Sequence, residues 1–289
     1  MTGQKIDGIA VANSVKDRVR IATSELRKEN IEPCLATVLV GDNPASTTYV
    51  KNKQKACFEV GIATKDHKLP ASFSQQEMNT LIDLLNSDKA VHGILVQLPL
   101  PDKLDEFAIT SRISPIKDID GLTPFNIGLL SSGRAILKPC TPSGIIELFD
   151  YYKIDLAGKD AVIVNRSNLV GKPLYNLMLE RNATVTTCHS KTQNLKEHCK
   201  RADIVVTAIG DRSKFVLTED MVKDGAVVID VGTARLDGKL VGDVDYENVI
   251  KKAAYVTPVP GGVGPMTVAM LLKNTLTAAS ISKGFVSNR

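Results

Sequence analysis

AVIVNRSNLVGKPLYNLMLERNATVTTC, residues 161–188, is the stretch whose reading decides the fold. Ala161 to Val164 is a short unbroken apolar run, the pattern of a strand buried on both faces. A polar turn follows, then a helix over 173–180, then a second short run rich in β-branched residues over 183–188. The alternation continues downstream, with a helix over 194–201, a strand over 203–209, a short helix over 218–223 and a strand over 226–231. Strands and helices that alternate in this way build a parallel, doubly wound sheet, so the chain is read as α/β.

The first strand-to-helix turn, NRSNLVGKP over 165–173, lacks the G-x-G-x-x-G dinucleotide fingerprint. It does carry Arg166 and Ser167 just before a helix N-terminus, where backbone N–H groups and the helix dipole favour a phosphate. After the second strand, an NAD site would place an acidic residue on the ribose hydroxyl. Here stand His189, Ser190, Lys191 and Thr192, a basic and hydroxylic turn that suits a ribose phosphate and favours NADP over NAD.

Upstream, the spacing predicts a surface helix over 7–30, a buried strand over 35–41, a weaker strand over 62–69 and a helix over 74–86 opened by a Ser74/Glu77 capping box. A further buried strand over 93–97 ends on Gln97, ahead of Leu98 to Pro101. That end is the carboxyl edge, where α/β proteins bind ligands. Between the first two strands, Asn43 reads as an N-cap, Pro44 as the first helical residue and Gly61 as the residue past the end. At 3.6 residues per turn, Ser46, Tyr49, Val50, Lys53, Ala56, Cys57 and Val60 share one stripe, on which Lys53 is the only charge. An ammonium group taken out of water is costly, so this lysine is paired, held neutral, turned toward a wet pocket, or snorkelling at a domain edge.

DIDG over 118–121 is turn chemistry, and Asp120 by itself reads as a turn-former. PCTP over 139–142 marks a domain join, with Thr141 as N-cap and Pro142 in the first turn of a helix to about residue 152. Three prolines and three glycines within 258–265 fix a stiff loop whose backbone can approach a ligand closely. An apolar helix follows from Met266 to about residue 282, interrupted by Lys273 and Asn274; it is expected to return to the first domain. The domains are therefore set at 1–139, completed by 266–289, and at 140–265.

The 289 residues carry 36 basic and 32 acidic side chains, a mild and interspersed +4. With no Trp and 4% aromatics there is little for bases to stack on, so nucleic acid is not an expected partner. No signal-like opening and no run of about twenty apolar residues is present, so no membrane association is expected and the cytoplasm is the expected location. Five scattered cysteines argue against a disulfide framework. Cys188, His189, His198 and Cys199 lack metal-ligand spacing, so no metal is expected.

TYVKNKQK around Lys53, VQLPLP around Gln97, KDIDG around Asp120, PCTP at Pro139, RS-x-x-VG-x-P at Arg166 and TPVPGGVGPMT at Thr257 occur in one unbroken order. Together they resemble the bifunctional methylenetetrahydrofolate dehydrogenase/cyclohydrolase family, FolD, over nearly the whole chain. The resemblance implies two lobes: an N-terminal α/β catalytic and folate-binding lobe that the C-terminal helix completes, and a doubly wound, Rossmann-like NADP lobe, with folate in the cleft. It implies Tyr49 and Lys53 on the catalytic helix, Gln97 against the lysine, Asp120 on the pterin, and Pro260, Gly261 and Gly262 beside the folate. Arg166, Ser167 and Ser190 would meet the cofactor phosphates, with Asn165 in the pyrophosphate turn and Thr233 in the wall beside nicotinamide. Tetrahydrofolate one-carbon substrates and a homodimer are implied as well.

Two departures stand out. Asn165 replaces the glycine usual before Arg-Ser, which crowds the turn unless the residue turns left-handed. Thr233, Ala234 and Arg235 replace the usual isoleucine and asparagine after Gly232. A dehydrogenase-only relative and a shikimate-dehydrogenase-like NADP oxidoreductase are the alternative readings.

Overall fold

The computed structural model describes residues 3–282, so positions 283–289 of the expected C-terminal segment lie outside the described residues, as do 1–2. The chain forms two compact units. One combines the residues through Ala12 with Thr141–Thr267; the other combines Asn13–Cys140 with the residues from Val268 onward.

The first unit is built on a six-stranded sheet. In spatial order its strands are Thr184–Cys188, Asp160–Val164, Ile204–Thr207, Val227–Asp230, Tyr255–Val256 and Gln4–Lys5. All neighbours are parallel. Helices Gly171–Glu180 and Leu195–Arg201 follow the first two strands of the alternation. Val162, Val164, Val205 and Val228 are buried with Cys188 and Cys199 in one core. Several elements differ from the sequence reading. The helix expected over 218–223 is a three-residue 3-10 turn, Glu219–Met221. The helix after Pro139 starts at Cys140, which places Thr141 inside it. The helix after the proline–glycine loop begins at Val263, so Gly264 and Pro265 lie in its first turn. An antiparallel hairpin, Ala234–Leu236 with Lys239–Val241, had not been anticipated. Asp237 and Gly238 both have positive φ there, as a two-residue hairpin turn demands.

The second unit carries a three-stranded parallel sheet with Cys34–Val40 at its centre, between Ala63–Leu69 and Gly93–Val96. Every residue of the central strand is buried. Met78, Ile82 and Leu85 of helix Gln75–Ser87 pack on Ala36, Val38, Ile94 and Val96. The Ser74/Glu77 capping box forms as read. Helices Glu106–Ser111 and Pro124–Ser131 are additional, the latter opened by Thr123 and a first-turn proline. All five cysteines are free and buried.

Two buried carboxylates organise the carboxyl edge of the six-stranded sheet. Asp230 accepts the N–H groups of Gly232 and Asp243 at 3.0 Å each and of Val244 at 2.9 Å. Asp243 accepts those of Ile209 at 2.7 Å and Gly210 at 2.8 Å. Neither Gly232 nor Gly242 has room for a Cβ, because each lies against one of these carboxylates. Burial pushes the Asp230 carboxyl up to about 6, against the pull of the backbone donors. Asp230→Asn would turn an NH2 group or a weaker acceptor toward three N–H donors, a loss of about 2–3 kcal/mol. Because the folded value lies above the ordinary one, proton uptake adds stability below the unfolded value, and that contribution is lost as pH rises through the folded value. The gap between wild type and Asp230→Asn in urea unfolding should therefore narrow from about pH 4 to about pH 7. A gap that widens over that range would contradict the burial argument.

Candidate active site

In the three-stranded unit, helix Pro44–Val60 is capped as its sequence demands, the Ser46 N–H donating to Asn43 Oδ1 at 3.1 Å. Ser46, Val50, Ala56, Cys57 and Val60 are buried, and Lys53 is half-buried on the same stripe. Tyr49, expected to share that burial, is instead 56% exposed. It lies near the start of the helix, beyond the carboxyl end of strand Cys34–Val40. Long helical side chains lean toward the N-terminus, which carries its ring past the sheet edge.

Lys53 Nζ donates to Gln97 Oε1 at 3.1 Å. The glutamine is fixed on both sides: its backbone N–H donates to Val38 O at 2.9 Å, and its Nε2 donates to Leu98 O at 2.7 Å. The first residue after strand Gly93–Val96 thus presents an oxygen to the middle of helix Pro44–Val60.

The same strand carries the aspartate loop. Ile94 N–H donates to Lys117 O at 2.8 Å, and Ile119 packs so closely on Gly93 that a Cβ there would come within 2.6 Å of it. Of the two aspartates, Asp118 is the turn-former: its Oδ2 accepts from Thr123 N and from Asn126 Nδ2, both at 2.8 Å. Among the described residues Asp120 has no backbone donor on its carboxylate, and the Cys140 thiol lies beside it. Burial pushes its carboxyl up, and the positive charge of Lys53 opposes that rise. Lys53, Gln97 and Asp120 therefore form one electrostatic group, and Tyr49 stands one turn before the lysine.

In the six-stranded unit the residues expected at the cofactor follow successive strand ends on one edge. Asn165, Arg166 and Ser167 follow Asp160–Val164, Ser190 follows Thr184–Cys188, and Thr233 follows Val227–Asp230. The chain order reverses between Asp160–Val164 and Ile204–Thr207, and the crevice at such a switch is where α/β sheets bind nucleotides. Asn165 is not left-handed, contrary to the expectation that relief of crowding would need it. Its side chain turns inward, donating to Ala208 O at 2.6 Å and accepting from Ser167 N at 2.8 Å and Gly171 N at 3.0 Å. A Cβ at Gly171 would collide with the Asn165 carbonyl, so the turn closes only on glycine. Ser167 Oγ accepts from Val170 N at 3.1 Å.

The amides at the start of helix Gly171–Glu180 are thus already engaged. Arg166, by contrast, is exposed with no partner among the described residues, and Ser190 is exposed beside it in the sheet order. An unpartnered guanidinium and open hydroxyls at a switch point fit a phosphorylated dinucleotide.

Pro260, Gly261 and Gly262 follow Tyr255–Val256 on the same edge. Gly8 N–H donates to Gly261 O at 2.9 Å, and a Cβ on Gly8 would collide with the Gly262 carbonyl. Gly261 sits at φ 100°, where only glycine is at ease. The loop is therefore clamped to the start of helix Gly8–Lys28. Sequence reasoning passed over Asp230, Asp243 and Cys140; a lone aspartate or cysteine at the end of a short element or in a loop carries no periodic signal.

A doubly wound nucleotide-type sheet and a separate lysine–glutamine–aspartate group define an α/β enzyme of the dinucleotide-dependent class. Family comparison agrees unit by unit. Residues 6–120 match the tetrahydrofolate dehydrogenase/cyclohydrolase catalytic domain, and residues 139–283 match the NAD(P)-binding domain of the same family. The bifunctional protein FolD of Nitrosopumilus maritimus is 66% identical over 282 residues, covering 98% of each chain. The crystal structure of the Campylobacter jejuni bifunctional FolD methylenetetrahydrofolate dehydrogenase/cyclohydrolase superposes with a TM-score of 0.94 at 48% identity, covering 96% of this chain and 99% of that one. The Trypanosoma brucei N5,N10-methylenetetrahydrofolate dehydrogenase-cyclohydrolase, solved with NADP and an inhibitor, gives 0.92 at 38% identity over 98% and 99% of the two chains. The chain belongs to the tetrahydrofolate dehydrogenase/cyclohydrolase family.

Asn165→Ala removes three hydrogen bonds from the phosphate turn, each worth about 1 kcal/mol. It should weaken NADP binding by about tenfold in a fluorescence titration, with little change in binding of a folate analogue. Unchanged NADP affinity would mean that the turn holds its shape without the amide.

Proposed function

We propose that this enzyme oxidises 5,10-methylenetetrahydrofolate to 5,10-methenyltetrahydrofolate with NADP, and then hydrolyses that product to 10-formyltetrahydrofolate. The observation that carries the reading is the Lys53 amine held against Gln97 Oε1 at the carboxyl edge of a sheet, in a chain of this family.

Asp120, its carboxylate left free by the backbone, accepts from the row of N–H donors on the pterin edge and so orients the folate. Tyr49, exposed one turn before Lys53, packs on the folate. The Pro260–Gly262 loop lies beside the substrate, and its glycines leave room for close backbone approach. Arg166, Ser167 and Ser190 hold the cofactor phosphates, Asn165 braces the turn that carries the first two, and Thr233 stands in the wall at the nicotinamide end. NADP supplies the hydride acceptor. For that step the protein's task is alignment, because no proton has to move.

Hydrolysis is different, since water must lose a proton as it adds to the cationic one-carbon unit. Lys53 takes that proton as the C–O bond forms, because a cation beside the amine disfavours a second positive charge there. As the bond from carbon to the N5 ring nitrogen breaks, Lys53 returns its proton to that nitrogen, and the added hydroxyl releases its own proton to solvent water as it becomes the formyl oxygen, so one proton is released overall. Gln97 holds Nζ in place through both transfers without becoming charged. A homodimer working in the cytoplasm belongs to the same proposal. No described helix is long and apolar enough to cross a membrane.

Lys53→Gln should lower the rate of methenyl decay by about 100-fold or more while hydride transfer stays measurable. Both steps are read by following methenyl absorbance as it forms and decays. Wild-type decay in the variant would remove Lys53 from the water step, and a wild-type enzyme whose methenyl product accumulates without decay would favour a dehydrogenase-only relative. Asp120→Asn should weaken folate-analogue binding by about tenfold or more, read by titration; unaltered affinity would remove the pterin role.

A further inference from the structure

Asn274 is the one amide on the buried face of the apolar helix Val263–Ile281, 6% exposed and flanked by Leu271, Leu272, Thr275 and Ala278, all buried. A polar side chain so placed costs free energy unless fully bonded. Its Nδ2 donates to Ile119 O at 2.7 Å and to Lys138 O at 2.9 Å, and lies 3.7 Å from Cys140 Sγ. The Cys140 thiol in turn donates to Ile119 O at 3.3 Å. One NH2 group therefore ties two separate loops together, one on each side of Asp120. On its C-terminal side, Gly121 sits at φ 68° with no room for a Cβ, which would come within 2.6 Å of Lys138 C and 2.7 Å of Pro139 N.

We propose that Asn274 is a positioning residue for substrate binding, holding the Asp120 carboxylate in register by pinning the carbonyls of Ile119 and Lys138. The proposal rests on the reading of Asp120 as the group that binds the pterin. Its physical basis is that Ile119 and Gly121 are anchored by different neighbours. Ile119 is pressed onto strand Gly93–Val96 and Gly121 onto the segment 138–139, and the amide is the link that fixes the second to the first. Without it, the Lys138 carbonyl loses this donor and the Ile119 carbonyl keeps only the weak Cys140 thiol, so the loop relaxes toward water at the point where Asp120 must stay aimed.

The test is a double-mutant cycle on the full chain with Asp120→Asn and Asn274→Leu, reading folate-analogue affinity by titration. NADP affinity and a cooperative melting transition serve as the check that each variant is folded. Asn274→Leu should weaken folate binding by about tenfold and leave NADP affinity unchanged. The double variant should bind no more weakly than Asp120→Asn alone, because the amide acts through the carboxylate. Losses that multiply, or no loss in Asn274→Leu, would overturn the proposal while leaving the role of Asp120 intact. Full affinity in Asp120→Asn would bring down the reading of Asp120 and this proposal with it. Should the leucine variant not fold, Asn274→Ala, which removes both donors with less added bulk, takes its place in the same cycle with the same outcomes.

Discussion

The contact on which the rest depends joins a charged amine to a neutral amide, Lys53 Nζ to Gln97 Oε1. A carboxylate in the glutamine's place would add a negative charge beside the amine. A neutral acceptor fixes where the nitrogen is without adding a charge next to it. Among the described residues Gln97 is the amine's hydrogen-bond partner, and Asp120 acts on it through charge alone. Such an arrangement is possible because parallel strands all end on one edge. The helix after Cys34–Val40 and the residue after Gly93–Val96 are brought together by the register of two adjacent strands, which pair Val38 with Val96.

Both units meet the same difficulty at that edge: loops leaving a parallel sheet carry backbone N–H and C=O groups with no ladder partner. Each unit answers with buried polar side chains. In the six-stranded sheet Asp230 and Asp243 accept five backbone N–H groups from the loops after Ile204–Thr207 and Val227–Asp230 and from the hairpin that follows. In the three-stranded unit the polarity is inverted, and the amide of Asn274 donates to carbonyls. Asp118, accepting from Thr123 and Asn126, does for its turn what Asp230 does on a larger scale. This division of labour leaves Asp120, three residues before Thr123, without a backbone donor among the described residues.

Most of the architecture was readable because parallel strands buried on both faces leave short apolar runs, and those over 161–164, 203–209 and 226–231 are plain in the sequence. Short polar elements were not. The hairpin at 234–241 has the Asp-Gly turn that marks such structures, but its strands are three residues each and largely exposed, so no alternation accompanies the signal. The pairing of Gln4–Lys5 with Tyr255–Val256 joins residues about 250 positions apart, which no local pattern reports. Lys53 was legible because a charge on an apolar stripe is conspicuous, and Gln97 because it ends a buried strand. Which of Asp118 and Asp120 is structural could not be read from DIDG, since either carboxylate suits turn chemistry; the hydrogen bonds of Thr123 and Asn126 decide it.

The turn at Asn165 shows how a departure from a family pattern can change a site without enlarging it. Where glycine would leave an open crevice between Asp160–Val164 and Ile204–Thr207, the asparagine amide crosses from one strand end to the other and caps the helix behind it. The N–H groups of Ser167, Val170 and Gly171 are then spent inside the protein. The helix-terminal amides are therefore already engaged, whereas Arg166 and the hydroxyl of Ser190 are exposed. A guanidinium meets a phosphate in two parallel hydrogen bonds, whereas an amide N–H offers one. A phosphate bound at this turn would accordingly draw on side-chain charge more than on backbone N–H groups.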